Sequence, residues 1–258
     1  MPRKYSGRSF KYKSKMKTRT LTGVVALLIA LASCNTEKSA NSFKVTGDIK
    51  GIAGSDIIIM FEDPLSPNGF SIDSLHASSD KFEFEGTIDS VRIAVIAVNN
   101  PELVQTTGDE PAALMPVQFF IQPNCTVKIT GEVDKMNLCH LSGTSMNEQM
   151  NKLVRFTEEQ QIYVDSLFFY MYRVEQAGFD TEELQDAIRH EYAKLVDLHA
   201  DFVEQNPDLD ISSFILQMYL IEYYDLEKLQ SLYNGLTDKV KSNNYGKTIY
   251  RMIEENQF

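Results

Sequence analysis

Apolar residues recur at one spacing as far as residue 142 and at another beyond it, and no other feature constrains the fold as much. In the first part, short segments alternate apolar with polar residues. That spacing places every second side chain on one face of a strand. In "KFEFEG" (81–86), Phe82 and Phe84 fall on one side and Glu83 and Glu85 on the other. "FKVTGDIKG" (43–51) alternates Phe43, Val45 and Ile49, whereas "SDIIIMFED" (55–63) is a continuous apolar run, as in a strand covered on both faces. "GFSIDSLHA", "VRIAVIAVN", "VQFFIQP", "CTVKITGEV" and "LCHLSG" continue the series, and prolines such as Pro64, Pro101, Pro116 and Pro123 punctuate it. The stretch 100–115 reads as a long loop. Residues 43–142 are therefore predicted to form an antiparallel β-sandwich or open barrel.

From Gly143 the period becomes about 3.6, and 143–258 is predicted to be a helical domain. Met146, Met150, Leu153, Phe156, Val164, Leu167, Phe168 and Met171 trace the first stripe, with Ser145 and Glu148 as a capping box. A second helix starts near Thr181 and carries Leu184, Ile188, Tyr192, Leu195, His199 and Phe202, ending before Asn206-Pro207. Three shorter helices follow at 211–224, 226–236 and 245–255, with Asp210 and Asp225 as caps for the first two. The fold class is α+β, with the division near residue 143.

Residues 1–33 hold eight basic residues and no acid, and end in the apolar run "LTGVVALLIALA" (21–32). Twelve helical residues span about 18 Å, short of the roughly 30 Å hydrocarbon core of a bilayer. A basic start, a short apolar centre and small residues before a cut describe a secretory signal peptide over 1–33. Leu31-Ala32-Ser33-Cys34 resembles the bacterial lipobox, which implies that Cys34 receives a lipid and becomes the mature amino terminus. Residues 34–42, small and polar, then form a tether. Met16 also opens a signal of ordinary length, so two start sites are open.

Eight of the 25 basic residues lie in 1–33, leaving 17 basic against 36 acidic side chains, a charge near −19. Such a surface repels nucleic acid, and none is expected as a partner. Beyond Cys34 only Cys125 and Cys139 remain. An oxidising envelope permits a disulfide between them, and buried free thiols are the alternative. Their spacing fits neither a CxxC pair nor a zinc site.

No catalytic constellation emerges, and no cofactor or metal is expected. His190 and His199 stand nine residues apart on one helix, about 900° of rotation, and so face opposite ways. "YGKT" (245–248) echoes the end of a phosphate loop, but Lys241 stands where its first glycine is required and no strand precedes it. "GTSMN" (143–147) lacks the second glycine of a nucleophile elbow, and "DLD" (208–210) is too short for a calcium loop. The Tyr-rich "MYLIEYY" (218–224) suits a core and rim, or the wall of a groove. Asp73-Ser74-Leu75, Asp89-Ser90-Val91 and Asp165-Ser166-Leu167 resemble the acceptor triplet of O-glycosylation in Bacteroides-like envelopes, with Ser90 expected to be the most accessible of Ser74, Ser90 and Ser166.

The order "FKVTGDIKGIAGSDIIIMFED", "IDSLHASSDKFEFEGTIDS", "FFIQPNCTVKITGEV" and "LSGTSMNEQMNKL" resembles a domain of unknown function found in Bacteroidetes lipoproteins. The matching positions are Gly47, Asp73-Ser74, Phe82, Phe84, Gly86, Phe120, Ile121, Gly131 and Ser142-Gly143, and the resemblance runs over about 43–258. In that family these regions usually precede a thioredoxin-like domain with a CxxC pair, which would begin shortly after Glu255. This sequence ends at Phe258 and holds no CxxC, so thiol–disulfide exchange is not carried over.

The expectation is a lipid-anchored cell-envelope protein, with the outer membrane favoured over the inner. It would act as a non-catalytic binding or accessory module, for a glycan or peptide ligand or to position a thioredoxin-like partner. The alternative is an envelope hydrolase with carboxylates across the cleft between the β and helical regions.

Overall fold

The computed structural model describes residues 41–62, 69–100 and 115–255. The signal segment, Cys34, nearly all of the tether and most of the 100–115 stretch lie outside the described residues.

Eight strands run in chain order: β1 Ser42–Lys50, β2 Asp56–Glu62, β3 Phe70–His76, β4 Lys81–Thr87, β5 Arg92–Asn99, β6 Val117–Ile121, β7 Thr126–Glu132 and β8 His140–Ser142. They form two four-stranded sheets, ordered β4-β1-β7-β8 and β3-β2-β5-β6. The architecture is thus a sandwich rather than a barrel. Alternation explains the layering: Phe43, Val45, Phe82, Phe84, Val127 and Ile129 from one sheet and Ile57, Ile59, Ala94, Ile96, Phe119 and Ile121 from the other belong to one apolar core. Phe43 meets Phe61 edge-on across the layers, with ring centroids 5.5 Å apart.

Two details depart from expectation. The β region is not wholly antiparallel, because β1 pairs with β7 in parallel, Lys44 opposite Thr126 through Lys50 opposite Glu132. A parallel partner needs a long crossover, and here the whole second sheet supplies it between β1 and β7. Nor is β2 covered on both faces: Ile57 and Ile59 are buried while Met60 is 36% exposed. Met60 lies opposite Ile72 of the edge strand β3, which is 67% exposed.

The helices are α1 Ser145–Gln176, α2 Glu182–Gln205, α3 Asp210–Ile215 running into a π turn Leu216–Leu220, α4 Leu226–Gly235, α5 Asp238–Lys241 and α6 Asn244–Glu255. Gly143 turns the chain from β8 into α1. Its φ is +103°, and a Cβ there would lie 1.9 Å from the Thr126 carbonyl oxygen. Thr144, not Ser145, caps α1: its Oγ1 accepts from the Asn147 N–H at 3.2 Å. Asp225 caps α4 as expected, accepting from Lys228 N–H. Asp210 lies one residue inside α3, whose Ile211 N–H instead donates to Gln149 Oε1 of α1 at 2.9 Å.

Two asparagines one turn apart dock α1 on the sandwich. Asn147 accepts from Phe120 N–H (2.7 Å) and donates to Phe120 C=O (2.9 Å). Asn151 does the same to Leu141, at 2.9 and 2.6 Å. Phe120 is on β6 and Leu141 on β8, the terminal strands of the two sheets, so each side-chain amide stands in for the next strand. Phe120 also packs edge-on against Phe214 of α3 and Tyr245 of α6.

The α1 stripe is buried over about its first two thirds only. Met150, Leu153 and Val164 are buried, and beyond Asp165 no described α1 side chain is. Phe156 and Phe168 are 37% and 39% exposed, against the expectation. Strand and helix residues belong to the same apolar core, and Glu37–Phe258 forms one compact unit.

Candidate functional site

α1 covers the sheet edges without closing the space behind them. Between β5, β6 and β8 on one side and α1, α2 and the π turn on the other lies a cavity of about 320 Å³. Its apolar wall includes Val95, Val117, Leu141, Leu153 and Leu195, and its polar groups include Gln118, Asn137, Gln161, His199 and Tyr219. No Asp, Glu, Lys or Arg stands among the described lining residues.

Each polar group has a local cause. His199 sits at an inward position of α2, 7% exposed. Its ring stacks on Tyr219 at 4.8 Å with 19° between planes. Tyr219 comes from the π turn, whose wider i→i+5 winding adds a residue to the turn and shifts the following side chains around the axis. The Tyr219 hydroxyl donates to Gln118 Oε1 on β6. Asp165, 6% exposed on α1, accepts from Asn137 Nδ2 at 2.6 Å and Gln161 Nε2 at 2.8 Å, tying two wall residues together.

Among the described residues His199 Nδ1, itself buried, has no hydrogen-bond partner. Burial pushes the imidazole down to about 4, so it is neutral at pH 7. Burial likewise drives the Tyr219 hydroxyl above its usual range, and the neighbouring Tyr192, helped by Tyr223, up to about 12. Cys139 also lines the cavity, and burial pushes its thiol up to about 11. A protonated thiol and a weakly basic imidazole in the wall of one cavity do not make an activated nucleophile. These groups can donate, accept and stack, which is the chemistry of holding a molecule. The expected alternative of carboxylates converging on this cleft finds none among the described lining residues.

The sequence-predicted positions fall elsewhere. Cys125 and Cys139 are both free and buried. Cys139 lies opposite Gly131, since Thr130 pairs with His140, and the missing Cβ of Gly131 leaves room for its sulfur. Cys125 precedes β7 by one residue, six positions from Gly131, which is about 20 Å along a strand. Disulfide geometry needs Cα atoms within roughly 7 Å, so the bond that an oxidising compartment permits is not formed. Burial raises the Cys125 thiol as well.

Of the three serines, Ser74 on β3 is the exposed one. Ser90, expected to be most accessible, is half-buried and donates to Asp89 Oδ1 at 2.8 Å, and Ser166 is half-buried on α1 and donates to Ile162 C=O. His190 is exposed and does not share a face with His199. Among the described residues no group of three His, Cys, Asp or Glu side chains could hold a metal. "YGKT" opens α6, where the Tyr245 ring packs on Phe214 at 5.2 Å. A broader hollow of about 700 Å³ lies over α4 to α6, between Tyr233, Lys241, Lys247, Tyr250 and Arg251. It is an open surface groove whose Tyr250 is 48% exposed, and no buried unpartnered group faces it.

The residue types of this cavity were visible in sequence but not their meeting. His199 was placed in the α2 stripe and Tyr219 in the Tyr-rich run; Gln118 carried no signal beyond a polar position in "VQFFI".

Residues 43–150 match the family described as Domain of unknown function (DUF4369). Both sheets and the docking turn of α1 carry this domain. The match ends at Met150, so the DUF4369 segment contains Gln118 and Asn147, while His199 and Tyr219 lie outside it. No curated protein and no solved structure matches the chain. Among the described residues no helix is long and apolar enough to cross a membrane.

Proposed function

We propose that this chain is a lipid-anchored, non-catalytic binding module of the bacterial cell envelope, with the cavity behind α1 as its ligand site. One observation carries the binding role: a cavity of about 320 Å³ combines an apolar wall with the uncharged polar side chains of Gln118, Asn137, Gln161, His199 and Tyr219. A mainly apolar pocket with a few oriented polar groups is the usual form of a small-molecule site.

The anchoring role draws its support from sequence. The basic, acid-free residues 1–33, their short apolar centre and the Leu31-Ala32-Ser33-Cys34 ending favour acylation at Cys34. Acyl chains contribute about 0.8 kcal/mol per buried methylene, enough for several chains on one residue to hold a protein at a bilayer. The outer membrane is the favoured location.

Metabolic labelling with an alkyne fatty acid tests the anchor. Expression in a host with lipoprotein-processing machinery should give a labelled, membrane-bound protein, and Cys34→Ala should remove the label. A chain found unlabelled and in the cytosol with residues 1–33 intact overturns the reading. Cross-linking in native envelopes tests the accessory role, for which a thioredoxin-like partner is the expected product.

A further inference from the structure

A charged side chain stands directly behind the wall of the cavity under α1. Asp165 is 6% exposed, and both of its oxygens accept from wall residues, Oδ2 from Asn137 Nδ2 at 2.6 Å and Oδ1 from Gln161 Nε2 at 2.8 Å. Among the described residues no cation pairs with it. We infer that this cavity takes a monovalent organic cation: an apolar body of about two fused rings with one ammonium group, which the carbonyl oxygens of Asn137 and Gln161 hold in front of Asp165. The inference rests on reading the chain as a binding module with its site here.

The carboxylate decides how the two amides point. An ionised carboxylate only accepts, so each amide turns its nitrogen to Asp165 and its carbonyl oxygen away. Those oxygens, Asn137 Oδ1 and Gln161 Oε1, have no hydrogen-bond partner among the described residues. Nor are they closed off. The buried side-chain atoms without partners there are Arg92 Nε, His199 Nδ1 and Gln217 Oε1, so both amide oxygens keep accessible surface. Each belongs to a residue that lines the cavity, Asn137 from the 3₁₀ turn Met136–Leu138 before β8 and Gln161 from α1. Two free acceptors suit a group that only donates, and an ammonium is such a group.

Charge separates an ammonium from a neutral donor such as a hydroxyl. A buried carboxylate without a counter-charge is costly, and a cation on the far side of the amides offsets it. One amide with a hydrogen bond on either side spans about 7 Å. Opposite charges at that separation still attract at a protein's effective dielectric. No Lys or Arg among the described lining residues opposes a cation, and Val95, Leu141 and Leu153 offer apolar surface to its body. An engineered cavity of about 150 Å³ accommodates benzene. The space here, about 320 Å³, is roughly twice that.

The test uses the chain from residue 34 onward with Cys34→Ser, which carries no acyl chain and needs no detergent. Its folded body, Glu37–Phe258, is intact. Three probes of similar shape are titrated by calorimetry at pH 7: 2-naphthylmethylamine, 2-naphthylmethanol and 2-naphthoate. The amine should bind tightest, the alcohol about tenfold more weakly, and naphthoate weakest of the three. Asp165→Asn keeps the size of the side chain and removes its charge, and there the amine should fall to the level of the alcohol. A second measurement covers the case in which that variant fails to fold. In the otherwise unmutated chain, the amine should move the side-chain amide resonances of Asn137 and Gln161 and leave those of Asn147 and Asn151 in place.

An amine that binds no tighter than the alcohol overturns the inference and leaves the cavity as a site for another ligand class. An amine preference that survives Asp165→Asn overturns it too, because the acidic surface at large would then be drawing the cation. Amide resonances of Asn137 and Gln161 that stay in place on amine binding have the same force. If none of the three probes binds, the cavity is not a site for such molecules and the binding reading falls with it. Acylation plays no part in these titrations, so a failed anchor shows separately.

Discussion

Two sets of buried polar side chains occupy the seam between sheets and helices, and they differ in one respect. Asn147, Gln149 and Asn151 all lie in the first two turns of α1, and each is engaged with backbone groups of β6, α3 or β8. His199, on α2, has a buried ring nitrogen that nothing among the described residues engages. Asn147 and Asn151 complete two sheet edges that would otherwise expose unpaired peptide groups, and Gln149 satisfies the first turn of α3, so the function of this set is exhausted by the fold. The second stays unsatisfied in the fold. Polar burial alone therefore does not mark a site.

The comparison predicts unequal costs. Gly143→Ala should be the most severe substitution, because it disturbs the turn that delivers the asparagines to the edges. A side chain there is strained at φ +103° and collides with the Thr126 carbonyl. A loss of about 5 kcal/mol is expected, read as the drop in urea-unfolding free energy or as failure to fold. A loss under about 1 kcal/mol would mean that the turn can relax and that the docking is less specific than argued.

Asn147→Ala comes next. It abandons both the N–H and the C=O of Phe120 inside the core, at about 2 kcal/mol each, so the unfolding free energy should fall by about 4 kcal/mol. Asn151→Ala should resemble it through Leu141. His199→Phe keeps an aromatic ring and removes an unsatisfied group, so at pH 7 it should not destabilise the fold and should raise its stability by about 1–3 kcal/mol. Equal losses at Asn147 and His199 would erase the distinction between the two sets.

Acid sharpens the contrast. In the unfolded chain His199 takes up its proton near the ordinary value of 6.5, and in the folded chain only near 4. Between those values the unfolded state holds a proton that the folded state refuses. Stability from this source is fully present above pH 6.5, falls as pH drops through the window, and levels off below 4. The total is on the order of 3 kcal/mol, at 1.36 kcal/mol per pH unit. Asp165 works in the opposite direction, since burial raises its carboxyl and the folded state gains a proton first. The check is therefore a difference: urea midpoints from pH 7 to 4 should fall less steeply in His199→Phe than in the wild type.

Most of the fold was legible because the sandwich obeys a period of two with few interruptions. Phe82 and Phe84, and Val45 and Ile49, face inward as their spacing requires, whereas the unbroken run around Ile57 and Ile59 does not reveal that Met60 faces outward. What local pattern could not carry was pairing. The parallel partnership of β1 with β7 joins residues some eighty positions apart, and nothing in either strand specifies it. The cavity was hidden for a related reason. Tyr219 reaches His199 through a π turn, and a 3.6-residue reading loses phase there. The exposed outer third of α1 shows the converse error. Phe168 and Met171 keep the helical stripe, yet this part of the helix buries no side chain past Asp165. Periodicity reports which face is apolar, not whether anything covers it.

The smallest effect separates two readings of how α1 begins. The sequence offers Ser145 and Glu148 as a capping box; the structure uses Thr144, one residue earlier. Ser145 Oγ instead accepts from Gln149 Nε2 at 3.0 Å, a contact to a side chain that has already found the Ile211 N–H through its oxygen. Thr144→Ala should therefore cost about 1 kcal/mol, the usual worth of a cap. Thr144→Ser should recover most of that, because its hydroxyl can accept the same N–H. Ser145→Ala should cost less than half as much. The N–H in question belongs to Asn147, so the cap and the β6 clasp share a residue, and Thr144→Ala combined with Asn147→Ala should cost less than the two singles together. A strictly additive pair would show that the helix start and the sheet edge are stabilised independently, and that the clasp does not need its cap.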